Sequence, residues 1–239
     1  MSAKNRLDIE LVNRGLVLSR SQAESYIKLG KVKVNEKVIT KPGYFVKADS
    51  VIKLFQAEQF VSRAGLKLAS ASVALNLDFT AKTVLDVGSS TGGFSDFALK
   101  NGAKKVYAVD VGTNQLHPSL RPNPKIELHE QTDIRKFVPK IPPDIILIDV
   151  SFISLRQILP HIAKISAKNT LVVAMLKPQF EAEADMKHKG VIKNDSMRRQ
   201  IIKSFEEWVK TYFVIRKKSD SAVAGEKGNV ERFYLLSPL

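Results

Sequence analysis

The sequence contains no cysteine, and its four histidines are scattered along the chain. Without cysteine there can be no disulfide, no thiolate metal ligand and no cysteine nucleophile. The histidines show no metal-ligand spacing, so we expect no bound metal. Long apolar runs are also missing, since the longest reach about six residues and a membrane span needs roughly 18. The first ten residues lack the apolar segment of a secretory signal. These absences predict a soluble cytoplasmic protein with no membrane span.

Acidic residues are scarce beside basic ones: 24 Asp and Glu stand against 38 Lys and Arg, a net charge of +14. On one interpretation this is ordinary, because many proteins are basic. The other is a nucleic-acid partner, because phosphate contacts need clustered lysine and arginine. Residues 1–60 hold 11 basic against 6 acidic residues, so the N-terminal quarter is somewhat denser in positive charge than the rest.

Residues 6–54 have the pattern of a compact module. Helical periodicity in RLDIELVN ends at Gly15, and a second helix over SRSQAESYIK ends before Gly30. VKVNEKVIT alternates around Asn35 and Glu36, which predicts a hairpin, and VIKLF supplies a later strand. The prediction is therefore two helices packed on a small sheet.

Three stretches of this module, RLD, GLVLSRSQA and KVKVNEK, resemble the S-four RNA-binding domain. In that family the second helix and its adjoining loops face RNA. The resemblance implies RNA contacts from six polar or basic residues, namely Arg6, Arg14, Ser19, Arg20, Lys31 and Lys33. A plain solvated face is the alternative for the same side chains.

From about residue 82 the pattern changes to short apolar strands that alternate with helical segments. The strands are TVLDV, KVYAVD, DIILIDV and TLVVAML, all rich in β-branched residues. Near-continuous apolar strands of this kind are typical of a parallel sheet covered on both faces. The sequence thus predicts an α/β domain over residues 60–239, preceded by a small α+β domain over residues 1–59.

A glycine-rich turn, DVGSSTGGFSD, follows the first of these strands and leads into a helix. Its GxxxGG spacing differs from the GxGxxG fingerprint of dinucleotide sites. Asp86, at the strand end, suits a cationic or hydroxyl-bearing ligand better than a pyrophosphate. Asp110, at the end of the second strand, stands where an acid accepts hydrogen bonds from ribose hydroxyls. A ligand with a ribose and a positive charge fits S-adenosylmethionine better than NAD, although a turn without a ligand is the alternative.

The residues that this interpretation assigns to S-adenosylmethionine are Asp86, Gly88, Ser89, Ser90, Thr91, Gly92, Gly93, Phe94, Asp110, Val111 and Asp133. Asp133, in QTDIRKF, is expected beside the adenine. It is equally well placed to cap a helix, and both roles are compatible.

Two lysines and two acids stand at further strand or helix positions. Asp149 and Lys177 each end a buried strand, and ligands of open α/β sheets bind beyond those ends. Lys67 lies on a predicted helix before the first strand, and Glu231 begins or precedes the last strand. Taken singly, each is more often an ordinary salt-bridge partner than a catalyst.

Six motifs, SRAGLKL, DVGSSTGGFSD, AVDVG, LIDVSFISL, LKPQFE and GNVE, occur in this order and resemble the TlyA family, long labelled haemolysin A. Its members join an S-four domain to an FtsJ-like RNA ribose 2′-O-methyltransferase domain. The resemblance implies a Rossmann-like class I methyltransferase fold and S-adenosylmethionine-dependent methylation of cytidine ribose in ribosomal RNA. Its targets are 23S rRNA and, in some members, also 16S rRNA, with ribosomal subunits as partners. The chain ends eight residues after Glu231. By resemblance, this short C-terminal segment favours the subgroup whose target is restricted to 23S rRNA.

The same resemblance assigns a catalytic set to Lys67, Asp149, Lys177 and Glu231, with Glu226 a weaker candidate for the fourth place. Methyl transfer from a sulfonium needs in-line attack by the ribose oxygen, whose proton must leave. A free lysine is protonated at neutral pH, so Lys177 needs burial or a neighbouring cation such as Lys67 to act as the base. Alternatively it stays charged and stabilises the developing alkoxide. Both roles are open at this point.

Two other functions fit parts of the sequence. One is a non-catalytic RNA-binding or ribosome assembly factor with a vestigial cofactor fold, and the other is a membrane-active haemolysin that adsorbs through its basic surface. A pseudouridine synthase often carries an S-four module, but GSSTGG and Asp110 do not belong to that chemistry. Residues 181–195 are expected to be either a mobile segment that orders on RNA or a plain solvated loop. Residues 222–229 are expected to be flexible, which would leave Glu231 misplaced without substrate. The sequence makes no prediction of oligomeric state.

Overall fold

The N-terminal domain contains two short helices and two small antiparallel sheets in a computed structural model that describes residues 4–55, 60–182, 192, 194–223 and 229–239. The helices are α1 (Leu7–Asn13) and α2 (Arg20–Lys28). The strands are β1 (Lys4–Arg6), β2 (Val32–Val34), β3 (Lys37–Val38), β4 (Phe45–Lys47) and β5 (Ile52–Leu54). One sheet has the order β3-β2-β5 and the other is a ribbon of β1 and β4. The predicted helices and hairpin are confirmed, whereas the ribbon was not predicted.

Local sequence explains where these elements begin and end. The hydroxyl of Ser19 accepts a hydrogen bond from the Gln22 amide and so caps α2. Gly15 follows the end of α1 with φ +66°, the left-handed conformation that a helix-ending glycine adopts without steric cost. Asn35 and Glu36 both have positive φ, as a two-residue hairpin between β2 and β3 requires.

The second domain is built on seven described strands and their covering helices. The strands are β6 (Thr83–Val87), β7 (Lys105–Val109), β8 (Ile126–His129), β9 (Ile145–Ile148), β10 (Leu171–Leu176), β11 (Phe213–Asp220) and β12 (Arg232–Pro238). The helices are α3 (Arg63–Leu75), α4 (Gly93–Lys100), α5 (Leu159–Ile165), α6 (Pro178–Glu181) and α7 (Asp195–Val209), with 3₁₀ turns at Ile134–Lys136 and Leu155–Gln157.

The strands form one sheet of order β11-β12-β10-β9-β6-β7-β8. Strands β8, β7, β6, β9 and β10 are parallel, but β12 runs antiparallel to both of its neighbours. The predicted parallel arrangement is therefore confirmed for β8, β7, β6, β9 and β10, whereas β12 makes the other edge of the sheet antiparallel. The chain moves outwards from β6 to β8 and then returns to the other side of β6 with β9. This reversal opens a crevice at the carboxyl ends of β6 and β9.

Alternate side chains of each central strand pack on opposite faces of the sheet. In β6, Val84 joins an apolar cluster with α3 and α4, while Leu85 joins a second cluster with α5 and α7. Both faces are thus covered, which is why these strands are apolar along their whole length. The double cover leaves the strand ends as the accessible part of the sheet.

The two domains are joined through Phe60, which is buried against Phe97 of α4. The amide of the Gln22 side chain in α2 donates a 2.8 Å hydrogen bond to the Phe60 carbonyl. The apolar cluster on the α3 and α4 face continues into α1 and α2. The boundary between residues 59 and 60 itself stays a prediction. Among the described residues, no helix has the length and apolarity that crossing a bilayer demands.

Candidate active site

A cleft of about 490 Å³ lies beyond the carboxyl ends of β6, β7 and β9. We call it the outer cleft. Five of the residues predicted to bind the cofactor line it, namely Gly88, Ser90, Asp110, Val111 and Asp133. Apolar side chains of Ile134, Ile153 and Ile158 form further parts of its wall. Its size and mixed lining are those of a site for a small organic ligand.

A second cavity of about 160 Å³, the inner cavity, shares Gly88, Ser90, Asp149 and Ser151 with the outer cleft. Its lining adds Lys177 and the turn residues Asp86, Ser89, Thr91, Gly93 and Phe94. Of the predicted cofactor residues, Gly92 lines neither space. Gly92 is instead the N-cap residue of α4 and has φ +87°. A side chain at this position would collide with Leu116 and Leu120.

The glycine turn brings the backbone of β6 against that of β9. Gly88 has φ +77°, and a Cβ built on it would lie 2.7 Å from the Asp149 carbonyl oxygen. A Cβ on Gly93 would meet the side chains of Ser62 and Ala64, next to α3. Both positions therefore need glycine, because a side chain at either would collide with the neighbouring backbone or helix.

Asp86 is almost completely buried beneath this turn, with 1% of its surface exposed. Its Oδ2 accepts hydrogen bonds from the Ser95 amide and hydroxyl, at 2.9 and 2.6 Å. Its Oδ1 has no partner among the described residues, and neither does the nearby buried hydroxyl of Ser89. Burial raises the pKa of Asp86 to about 7, and the carboxylates of Asp149 and Asp110 add to the rise against the hydrogen bonds from Ser95. A cationic ligand group would pair with the free Oδ1 and offset the cost of ionising the buried carboxyl group.

Asp110 and Asp133 stand at two other points of the outer cleft. The Asp110 carboxylate accepts backbone hydrogen bonds from Ser90 at 2.8 Å and Gly112 at 2.7 Å, which fixes its orientation. Each of its oxygens keeps a second lone pair for a ligand hydroxyl. Asp133 caps a 3₁₀ turn through the Arg135 amide and also pairs with the Arg135 guanidinium. These hydrogen bonds lower the pKa of Asp133 to about 2. Asp133 thus combines a capping position with a place on the cleft wall.

The four predicted catalytic residues form two ion pairs. Lys67 Nζ lies 2.5 Å from Glu231 Oε2, and both side chains are buried. Lys177 Nζ lies 2.7 Å from Asp149 Oδ1, although this contact lacks the direction of a hydrogen bond. The hydrogen bond of Lys177 goes instead to the Ser151 hydroxyl at 2.9 Å.

Strand register brings the two pairs to the same end of the sheet. The last paired residues of β10 and β12 are Leu176 and Arg232. Lys177 and Glu231 are the next residues in that ladder, so they stand side by side although 54 positions separate them in the chain. Lys67 reaches the same place from the first turns of α3. Glu226, the weaker candidate for the fourth position, lies outside the described residues.

Ser151 and Phe152 are site residues that sequence reasoning missed, although both lie in the motif LIDVSFISL. Phe152 is 91% exposed and has φ +66°, a conformation that is unusual for an aromatic residue. It lines the outer cleft, and its ring centroid is 5.2 Å from that of Phe180, just after Lys177. An exposed ring held in this way at the mouth of a cleft offers a surface for a flat ligand.

Glu181 links the loop that carries Ser151 and Phe152 to the short helix after Lys177. Its buried carboxylate accepts hydrogen bonds from the Ser154 hydroxyl at 2.6 Å and the Leu155 amide at 2.7 Å. Burial raises the pKa of Glu181 above its usual range against these two bonds. The carboxylate therefore ties the ends of β9 and β10 together. Of the predicted loop at 181–195, residues 183–191 and 193 lie outside the part of the chain that is described, as do 224–228 of the second one.

Two of the predicted RNA-binding arginines share a buried carboxylate in the N-terminal domain. Arg6 and Arg20 both bind Asp8, with N–O distances of 2.9 and 2.8 Å, and each guanidinium remains partly exposed. Burial of Asp8 opposes ionisation, but the two arginines together lower its pKa. Arg14 differs, because it bonds to Glu10 and to the carbonyls of Ala48 and Ser50 within the domain.

The other predicted RNA-binding residues are Ser19, Lys31 and Lys33. Ser19 caps α2, and Lys31 is exposed after its end. Lys33 is 3.7 Å from Glu36 and lies over the Phe55 ring. RNA contact by any of the six residues stays a prediction.

Comparison with known proteins shows two matching families. Residues 60–237 match the FtsJ-like methyltransferase family, and residues 5–52 match the S4 domain. A 23S rRNA (cytidine-2′-O)-methyltransferase TlyA of Campylobacter jejuni is 42% identical over 74% of this chain and 71% of its own. A 16S/23S rRNA (cytidine-2′-O)-methyltransferase TlyA of Mycobacterium tuberculosis is 33% identical over 99% of this chain and 91% of its own. A solved structure described as a hemolysin, from Streptococcus thermophilus, is 36% identical with a TM-score of 0.74 over 100% of this chain and 90% of its own.

Proposed function

The chain belongs to the FtsJ-like methyltransferase family and is an S-adenosylmethionine-dependent enzyme, and we propose that it methylates the 2′-hydroxyl of a cytidine ribose in 23S ribosomal RNA. The observation that carries the proposal is the Lys177–Asp149 pair in the wall of a glycine-lined cavity, with the Lys67–Glu231 pair buried at the same end of the sheet. The S4 domain supplies an RNA-binding module on the same chain. Ribosomal RNA as the substrate would place the activity in the cytoplasm, on ribosomal subunits or their precursors.

The residues of the two cavities fit S-adenosylmethionine. The unpartnered Asp86 Oδ1 and Ser89 Oγ suit the charged amino-acid end of that molecule, whose ammonium would relieve the burial of Asp86. Asp110 suits ribose hydroxyls, and Val111, Asp133 and Ile134 suit the adenine. When bound, the cofactor supplies an electrophilic methyl group on a sulfonium.

Within this proposal, the protein positions the ribose hydroxyl and handles its charge. The inner cavity presents Lys177 Nζ, which Ser151 and Asp149 hold in place. There the lysine either accepts the hydroxyl proton or stabilises the alkoxide that develops as the proton leaves. Lys67 and Glu231 form a buried, charge-balanced pair at the same end of the sheet, where the register of β10 with β12 sets Glu231 beside Lys177.

The test is transfer of labelled methyl groups to unmodified ribosomal RNA, offered as free 23S and 16S transcripts and as assembled subunits. We expect label in ribose at a cytidine of 23S RNA, located by mapping 2′-O-methylation against RNA from cells without the gene. Label in 16S RNA as well would extend the substrate range to both subunits. Absence of ribose label on every substrate, with folded protein that binds the cofactor, would overturn the proposal.

Lys177→Ala separates an enzyme from a non-catalytic RNA-binding factor. We expect the rate of methyl transfer to fall by about 10²- to 10⁴-fold, because one positioned proton-handling group contributes about that much. RNA affinity should stay within about twofold. Lys177→Arg keeps the positive charge but cannot give up a proton. Substantial activity in this variant would indicate the electrostatic role, and complete loss the base. The exposed Lys203→Ala is the control.

A further inference from the structure

The ribbon of β1 and β4 carries an unusual set of side chains on one face. Its register pairs Lys4 with Lys47 and Arg6 with Phe45. Side chains of directly opposite residues share a face of an antiparallel pair, and so do residues two apart on one strand. Three cations and an aromatic ring therefore lie together on this face, while Val46 on the other face is buried. We call these four residues the ribbon face.

Lys4 and Lys47 form a like-charge pair across the strands, which is an unfavourable arrangement in a sheet. Within the described part of the chain, no carboxylate lies within 4 Å of either ammonium group. A second lysine pair in the domain shows the contrast. Lys33 and Lys53 are also opposite each other, between β2 and β5, but Glu36 lies 3.7 Å from the first and 2.5 Å from the second. The repulsion on the ribbon face thus lacks the carboxylate that balances the other pair, and a bound anion would supply the missing charge.

Phe45 is 60% exposed between these cations. A groove of about 340 Å³ runs beside it, lined by Lys4, Tyr44 and Lys47 among others. Asp49 is the acidic residue among the described lining residues, and with Asn35 it offers polar groups suited to the edge of a base. Positive charge around an exposed ring is the combination by which proteins bind unpaired nucleotides, with the base on the ring and the phosphates on the cations.

The ribbon face is continuous with the pair of arginines on Asp8. Arg6 belongs to both, because it stands opposite Phe45 and also binds the fully buried Asp8 carboxylate that holds Arg20. Positive charge therefore extends from the ribbon to the start of α2. A polyanion that follows this path would contact both sets, which argues for an RNA strand over an isolated anion.

We propose that the ribbon face binds an unpaired nucleotide of the RNA substrate, with its base stacked on Phe45 and its flanking phosphates on Lys4 and Lys47. The proposal rests on the proposed function for the identity of the RNA. The site adds Lys4, Phe45 and Lys47 to Arg6, the residue of this ribbon that the resemblance to the S-four domain already implies.

Phe45 is tested by equilibrium binding of the full-length protein to two RNA hairpins that are identical except for one bulged nucleotide. Wild-type protein should prefer the bulged hairpin. Phe45→Ala should weaken binding of the bulged hairpin by about 5- to 100-fold, as loss of one base–aromatic stack does, and should erase the preference. Phe45→Trp should keep it, because a larger ring stacks as well. Equal affinity of wild-type protein and Phe45→Ala for the bulged hairpin would overturn the proposal.

The lysines are tested by the salt dependence of binding to an unmodified 23S transcript. Lys4→Gln with Lys47→Gln should reduce the slope of log affinity against log salt by roughly 1.4 to 1.8, the value for two lost phosphate contacts. Phe45→Ala should leave that slope unchanged. Lys203→Gln with Lys210→Gln, two exposed lysines of the other domain, removes the same charge and should leave the slope near the wild-type value. A slope that both double variants change equally would contradict a localised site.

Two further outcomes are decisive. If the ribbon variants bind the naked transcript like wild-type protein but lose affinity for assembled subunits, the face contacts a ribosomal protein and the RNA proposal is wrong. None of these measurements needs methyl transfer. Wild-type protein that binds RNA through Phe45 but transfers no methyl group would refute the proposed function alone, and active protein with unchanged Phe45→Ala binding would refute the ribbon site alone. Thermal unfolding of each variant checks that it is folded.

Discussion

At the scale of single residues, two buried aspartates show how surroundings decide the charge of a carboxyl group. Asp8 and Asp86 are both nearly inaccessible to solvent. Asp8 has two arginine partners, and its pKa is lowered despite burial. Asp86 has neutral donors and two neighbouring carboxylates, and burial raises its pKa. The first carboxylate is satisfied within the fold, whereas the second is completed only by a ligand.

The raised pKa of Asp86 predicts a pH dependence of stability. In the unfolded chain this carboxyl ionises near pH 4, but in the ligand-free folded protein it stays protonated up to about pH 7. The folded state therefore binds more protons between these values, and this group's contribution to the free energy of unfolding falls as pH rises from about 4 to 7. Asp86→Asn should remove that contribution. Urea unfolding of both proteins at pH 5, 6, 7 and 8 should show curves that diverge by about 1 kcal/mol per pH unit below pH 7.

Carboxyl groups far from residue 86 contribute equally to both curves, so the difference between the two curves reports on Asp86 and its coupling to Asp149 and Asp110. Parallel curves across this range would contradict the prediction. Cofactor binding gives a second readout, because a cation beside Asp86 favours its ionised form. Binding of S-adenosylmethionine to wild-type protein should then release protons near pH 6.5, measured by titration calorimetry in two buffers, and binding to Asp86→Asn should release fewer.

At the scale of elements, the site depends on turns that join strand ends to the helices behind them. Gly88 brings the end of β6 against β9, and Glu181 ties the loop after β9 to the helix after β10. Neither residue belongs to an ion pair of the predicted catalytic set. Both act by fixing where the strand ends lie.

Gly88→Ala and Gly15→Ala form a matched pair of variants. Both glycines have positive φ, +77° and +66°, so each alanine incurs the cost of a left-handed conformation, about 1–2 kcal/mol. A Cβ at Gly15 meets nothing within 4 Å, whereas at Gly88 it collides with the Asp149 carbonyl. Gly88→Ala should therefore lose more stability in urea unfolding, and also affinity for S-adenosylmethionine in titration calorimetry. Similar losses in both variants would show that the close approach is unimportant.

Glu181→Ala should reduce methyl transfer without removing a group that touches substrate. Loss of the carboxylate leaves Ser154 and Leu155 without their acceptor and frees the loop that presents Ser151 and Phe152. We expect the maximal rate to fall by about 10- to 100-fold, as small displacements of positioned groups do. RNA affinity should remain within about twofold of wild type. Glu181→Gln keeps one acceptor oxygen and should recover part of the rate, an outcome that general destabilisation would not produce.

At the scale of the whole molecule, the two domains share an apolar cluster and are linked through Phe60. Phe60 stands where they meet, packed on Phe97 and bonded through its carbonyl to Gln22. Under the proposed function, this junction would keep RNA bound to the first domain at a set position relative to the site of the second. Net charge acts at the same scale, because +14 attracts any RNA. Discrimination between RNA targets must therefore come from contacts made by specific, positioned side chains.

Phe60→Ala should uncouple the domains. Replacement of a buried phenylalanine by alanine lowers the free energy of unfolding by about 3–5 kcal/mol. At residue 60 this loss weakens the contact between the two domains. We expect wild-type protein to unfold in one urea transition and the variant in two, with the N-terminal domain first, when followed by circular dichroism. Two transitions in wild-type protein already would mean that the junction contributes little to stability.

Local pattern in the sequence was enough to predict the central strands β6, β7, β9 and β10, the glycine turn and the hairpin at Asn35 and Glu36. Each depends on neighbours within a few positions: apolar runs that can be buried on both sides, and residues that tolerate positive φ. The net charge favoured a nucleic-acid partner but was equally compatible with an ordinary basic protein. The catalytic set came from family resemblance, since nothing local distinguishes Lys67 from other lysines.

Only the tertiary structure decided which residues meet. Lys67 and Glu231 are 164 positions apart, and their pairing depends on strand order and on the register of β10 with β12. The antiparallel edge of the sheet, the contact of Ser151 with Lys177 and the ribbon of β1 with β4 have the same origin. Three-residue strands some 40 positions apart carry too short a pattern to predict their pairing. Periodicity records which face of an element is buried, whereas the partner across that face is chosen by the packing of the whole chain.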